Sequence, residues 1–185
     1  MKHYYKTVEG WFNYEWFYDD AVTLCEDGET IVEIGAYKGK SACYAGVAMA
    51  NTEKVINLHS VDHFKGSPAM NTKSNPVYVP QLKGDCEYLY KEFLKNTKPV
   101  SEWVRGIKLD SASASTLYED ESLAGVFIDG DHTYKGCLAD IKNWLPKIKK
   151  GGMFAGHDYN FSGVKKAVSE FFDTIELRGN CWNII

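Results

Sequence analysis

Two short apolar runs of this chain stop abruptly in charge. Phe127–Tyr134 reads FIDGDHTY, and Gly151–Tyr159 reads GGMFAGHDY. Buried strands end in carboxylates or imidazoles where something uses the charge, because an unpaired ion is expensive to desolvate. The helix-like segment between the two runs is what a parallel crossover requires. Asp129, Asp131, His132, His157 and Asp158 are therefore expected along one edge of one sheet.

A third chemical feature lies upstream. Val32–Ser41 reads VEIGAYKGKS, an acid on a strand followed by Gly35 and Gly39 at the strand-to-helix turn. Glycines there let backbone approach a ligand, and the helix start offers free N–H groups to an anion. Tyr37 stands where a dinucleotide fingerprint has its second glycine, so a pyrophosphate is less well catered for. The next strand ends at Asp62, where α/β nucleotide sites place a ribose-binding acid.

The elements that must position these residues alternate regularly. Strands are expected at Thr30–Ala36, Val55–Asp62, Val100–Leu109, Gly125–Asp129 and Gly152–Gly156. Helices are expected at Lys40–Asn51, Gly84–Lys95, Ser111–Tyr118, Tyr134–Lys149 and Ser162–Phe172. In the first 25 residues, Phe17, Ala21 and Leu24 form one inward helical stripe among many aromatics. Thr174–Leu177 and Cys181–Ile185 flank the turn Arg178-Gly179-Asn180 and read as a hairpin. His63–Pro80, with three prolines, reads as a long loop. The fold class is α/β: a doubly wound Rossmann-like sheet of about seven strands, mostly parallel, with a C-terminal antiparallel hairpin and helices on both faces. One domain over 1–185 is expected, with 1–27 packing on it as a helical segment or capping the site.

Composition narrows the function classes. A formal net charge of −4 argues against nucleic-acid binding through bulk charge. The lysines at 142–150 read as a solvated helix face. Five scattered cysteines without C-x-x-C spacing fit a reducing compartment rather than a disulfide framework or zinc knuckle. MKHYYKTVEGWF lacks the apolar core of a signal peptide, and no apolar run reaches membrane-spanning length, so a cytoplasmic protein free of membranes is expected.

Taken together, EIGAYKGKS, the VD of the second strand, FIDGDHTY, GGMFAGHDY and the EGWF of Glu9–Phe12 resemble class I S-adenosylmethionine-dependent methyltransferases. The likeness is strongest to small-molecule O-methyltransferases of the macrocin type and spans about residues 9–185. It implies that Gly35 and Gly39 line the methionine moiety of S-adenosylmethionine, with Glu33 behind them and Ser41 opening the helix. It implies Asp62 on the ribose, His63 beside the adenine, Asp110 and Ser111 at the adenine edge, and Asp129 touching cofactor or metal. Metal-dependent relatives bind a divalent cation at positions matching Asp129, His157 and Asp158. Where they carry all-oxygen sets His157 intervenes, which suits Mn²⁺, Fe²⁺ or Zn²⁺ better than Mg²⁺.

Asp131 and His132 match base positions of such relatives, and an imidazole near neutral pKa suits that task. The implied partner is a small hydroxylated acceptor such as a sugar; a homo-oligomer is left open. Two other readings stand beside this one. Asp129-Gly130-Asp131 as a D-x-D metal motif would serve a nucleotide-sugar or glycosyl-transfer enzyme, although that chemistry needs neither the glycine turn nor Asp62. A cofactor-binding module without catalysis is the other.

Overall fold

The structure, a computed structural model, describes residues 1–184. Seven strands form one sheet in the order β3-β2-β1-β4-β5-β7-β6. They are β1 (Thr30–Ile34), β2 (Asn57–Val61), β3 (Val104–Ile107), β4 (Leu123–Ile128), β5 (Ile148–Gly156), β6 (Ile175–Arg178) and β7 (Cys181–Ile184). The first five pair in parallel, and β7 runs antiparallel to both β5 and β6. Every residue of β4 is buried, as expected of a central parallel strand covered on both faces.

Six α-helices cover the sheet: α1 (Glu15–Leu24), α2 (Lys40–Ala50), α3 (Tyr88–Thr97), α4 (Ser111–Ser115), α5 (Tyr134–Trp144) and α6 (Ser162–Phe171). Core residues of α1, α2 and α3 pack together on one face, and those of α4, α5 and α6 on the other. Strand order reverses between β1 and β4, so a cleft opens where their carboxyl ends part. No helix among the described residues is long and apolar enough to cross a membrane.

Several expectations need correction. The helix expected to reach Lys149 stops at Trp144, because Pro146 offers no N–H to continue it. A 3₁₀ turn spans Leu145–Lys147, and Ile148 already begins β5. The lysines there are not one solvated helix face: Lys147 pairs with Asp120, and Lys149, on β5, pairs with Glu29. Leu24 is 60% exposed, whereas Tyr14, Phe17, Tyr18, Ala21, Val22 and Cys25 are buried. Cys86, expected on a helix, lies exposed ahead of α3. The third strand is four residues long, and Val100 belongs to a 3₁₀ turn before it. Ile185, assigned to the last strand, lies outside the described residues.

Candidate active site

The turn after β1 is built on two glycines with left-handed backbone. Gly35 has φ +93°, and a Cβ there would overlap the carbonyl oxygen of Asp129. Gly39 has φ +81°, caps α2, and faces the Phe93 ring, where a Cβ would lie at 2.9 Å. Tyr37 between them also takes positive φ, at +46°. Asp62 holds this shape. Its Oδ2 accepts from the backbone N–H groups of Ala36 and Tyr37 at 3.0 Å each, and its Oδ1 accepts from Phe64 N–H at 2.7 Å. The exposed ring of His63 beside it accepts from Lys65 N–H at 3.0 Å.

Glu33 is completely buried beneath the turn. Three hydroxyls donate to it: Tyr18 at 2.7 Å, Ser60 at 2.9 Å, and Ser41 from the first turn of α2. Burial nevertheless outweighs those bonds and raises its pKa to about 7.

The two acidic strand ends do meet. His132 Nε2 lies 3.0 Å from Asp158 Oδ2 and 3.8 Å from Asp129 Oδ1. His157 Nδ1 lies 3.2 Å from Asp158 Oδ1 and 3.5 Å from Asp129 Oδ1. Asn180 donates to Asp158 at 3.0 Å from the hairpin turn. Asp158 itself has φ +58°, a left-handed backbone that is uncommon outside glycine. The Asp129 and Asp158 carboxylates raise His132 to about 10. For His157, burial pulls down, but the same carboxylates prevail and raise it to about 9. Asp158 is driven well below the usual carboxylate range by the two imidazoles, against the opposing effect of burial.

One ligand atom each from Asp129, His132 and Asp158 fall within 4.8 Å of one another, close enough to share a cation. That set contains His132; His157, the expected ligand, also turns Nδ1 toward both carboxylates, while its Nε2 meets Asn13 Oδ1 at 2.9 Å. Asp131 does not join. Its Oδ1 accepts from Thr133 N–H at 2.8 Å, and its carboxylate lies against Gly136 in the first turn of α5. Asp129 and Asp131 thus do not present the paired carboxylates that a D-x-D motif needs. Asp110 caps α4 through Ser113 N–H at 2.9 Å, and Ser111 donates to buried Asp140 while accepting from Trp144 Nε1–H at 2.8 Å.

The N-terminal segment, expected to pack on the domain or cap the site, brings two residues that sequence reasoning did not name among the site residues. Tyr14 donates to Asp129 Oδ2 at 2.9 Å, and Tyr18 donates to Glu33. Their spacing of four residues signals a shared helix face, but the partners lie 115 and 15 residues away in the chain. Further upstream, Lys38 Nζ donates to Glu9 at 2.7 Å and Lys40 Nζ to the Gly10 carbonyl at 2.9 Å.

Comparison with known proteins adds a family. The profile of a family described as a methyltransferase domain matches residues 32–159, from β1 through both acidic strand ends. An uncharacterized protein of Sinorhizobium fredii is 24% identical over 129 residues, which is 69% of this chain and 13% of that protein. Among solved structures, the O-methyltransferase NovP is 18% identical with a TM-score of 0.61, over 92% of this chain and 78% of its own. The calicheamicin methyltransferase CalS11 is 15% identical with a TM-score of 0.59, over 92% and 77%. An S-adenosylmethionine-dependent O-methyltransferase of Thermotoga maritima is 15% identical with a TM-score of 0.60, over 91% and 54%. At these identities the likeness is one of fold.

Proposed function

The chain belongs to the methyltransferase-domain family, and on that premise we propose that it moves a methyl group from S-adenosylmethionine to a hydroxyl of a small metabolite, with a sugar as the favoured class. One observation carries the reading: the glycine cradle and the acidic cluster touch. The space a side chain on Gly35 would fill is occupied by the backbone of Asp129. A ligand lying on the glycine turn therefore ends beside the carboxylates and imidazoles at the ends of β4 and β5.

The residues present fit this cofactor. Gly35 and Gly39 give the turn its left-handed backbone and let it pack against Asp129 and Phe93, Glu33 and Ser41 support the turn from below, and Asp62 Oδ1, with one N–H donor, retains capacity for a ribose hydroxyl. In this reading His63, Asp110 and Ser111 would border the adenine. When bound, the cofactor supplies a methyl group already activated on a sulfonium, so the protein's work is alignment and proton removal.

That work falls to the cluster. Asp129, His132 and Asp158 offer a mixed nitrogen and oxygen donor set that suits Mn²⁺ or Fe²⁺ better than Mg²⁺. A cation there would lower the pKa of an acceptor hydroxyl. Without it, the Asp129 and Asp158 carboxylates raise His132 to about 10 and favour its protonated form, which weighs against it as the base. Asp131, whose Oδ1 accepts from Thr133 N–H at the start of α5, is the other base candidate.

Calorimetry with S-adenosylhomocysteine tests the reading, with and without Mn²⁺. Binding without metal, with Mn²⁺ uptake that disappears in Asp158→Asn, is the expected outcome. No S-adenosylhomocysteine binding in either condition overturns it.

A further inference from the structure

The segment that precedes α1 crosses the cleft from the cofactor side to the acceptor side. At one end the glycine turn grips it: Lys38 and Tyr37 hold the Glu9 carboxylate at 2.7 and 3.2 Å, and Lys40 holds the Gly10 carbonyl. Lys38 is only 3% exposed, so this anchor is built into the fold. At the other end two consecutive residues reach the acidic cluster. Asn13 Oδ1 meets His157 Nε2 at 2.9 Å. Tyr14, 2% exposed, stacks its ring on Phe127 at 4.2 Å and 22° and donates its hydroxyl to Asp129 Oδ2 at 2.9 Å.

We propose that Asn13 and Tyr14 are positioning residues for the cluster, fixing which atoms of His157 and Asp129 face the acceptor. That an acceptor lies there rests on the methyl-transfer reading; the contacts themselves do not. Phe127 lies in β4 two residues before Asp129, which directly follows the strand, so the stacked ring sets the hydroxyl in register with that carboxylate. With Oδ2 engaged by Tyr14, Asp129 turns Oδ1 toward His132 and His157. With Nε2 engaged by Asn13, His157 turns Nδ1 toward Asp129 and Asp158. Both contacts lock a ring or carboxylate that would otherwise rotate, as the outer partners of functional groups do. Because the same short segment is anchored on the glycine turn, the two halves of the cleft are tied by one strap.

The test uses the full chain with ¹⁵N-labelled histidine rings and two variants. Asn13→Ala changes an exposed side chain, and Tyr14→Phe keeps the stacked ring while removing the hydroxyl. Asn13→Ala should shift the Nε2 resonance of His157. Tyr14→Phe should shift His157 Nδ1 and His132 Nε2 through Asp129. S-adenosylhomocysteine affinity should stay within about twofold in both. Ring resonances unmoved in both variants overturn the proposal. So does a loss of affinity of about tenfold with the rings unmoved, which would make the strap a wall of the cofactor pocket. If the unaltered chain fails to bind S-adenosylhomocysteine, methyl transfer falls, and the ring spectra still decide the positioning role.

Discussion

Glu33 carries a carboxylate into the centre of the sheet, and three hydroxyls only partly offset its desolvation. Its pKa rises from 4.5 to about 7 on folding, so the native state holds this proton more tightly than the unfolded chain does. The stability it contributes is complete below the unfolded value and is lost as pH rises through 7. Glu33→Gln keeps the shape without the titration. Melting curves of both proteins between pH 4.5 and 8 should therefore diverge, the variant gaining roughly 2–3 kcal/mol on the parent at the upper end. Parallel curves would show Glu33 ionising normally. Gly35 makes the opposite kind of demand. Gly35→Ala places a Cβ inside the Asp129 carbonyl on a left-handed backbone, so it should cost roughly 2 kcal/mol or more and abolish S-adenosylhomocysteine binding. Calorimetry checks that outcome; retained affinity would mean that the turn relaxes. Both residues were legible in the sequence because their types are unusual where they stand: an acid amid Val32 and Ile34, and a glycine ending a β-branched run.

Elements were legible where their periodicity is local, and less so where a neighbour decides. The buried arc of α1 runs through Phe17 and Ala21 as the spacing indicates, but it takes in Tyr14 and Tyr18 rather than Leu24. The polar tips of those tyrosines hid their place, since a phenol can be buried only when its hydroxyl finds a partner. Here Asp129 and Glu33 are the partners. Pro146 sits in the 3₁₀ turn that carries the chain from α5 to Ile148, where β5 starts, and no periodicity marks that boundary. The strap over residues 9–14 had no periodicity to reveal it. Its hold on the glycine turn rests on Lys38, whose buried ammonium meets a Glu9 side chain that is 70% exposed. Lys38→Met should loosen this segment without touching the sheet. Hydrogen exchange should accelerate at residues 9–14 and stay unchanged in β1 and β4; uniform protection would assign the hold to the aromatic contacts of Phe12 instead.

At the scale of the molecule, the alternation of strands and helices is enough to place both acidic ends beside the glycine turn, because right-handed crossovers leave few arrangements. The partition within the cluster was not legible, since it depends on contacts that span up to 144 residues. His157, expected as a metal ligand, reaches Asp129 and Asp158 through Nδ1 with Nε2 on Asn13, and His132 reaches the same two carboxylates through Nε2. This distinction has a thermodynamic consequence for the whole fold. A ligand that binds only the native state raises the melting temperature by mass action, about 2.7 kcal/mol at a hundredfold excess over its Kd, or roughly 5–10 °C for a domain of this size. S-adenosylhomocysteine should produce such a shift in the parent and in Asp158→Asn alike, because the glycine turn does not depend on Asp158. Mn²⁺ should add a second increment in the parent, and none in Asp158→Asn or His132→Gln, while His157→Gln retains most of it. Loss of the increment in His157→Gln with retention in His132→Gln would return the nitrogen ligand to the residue that the sequence favoured.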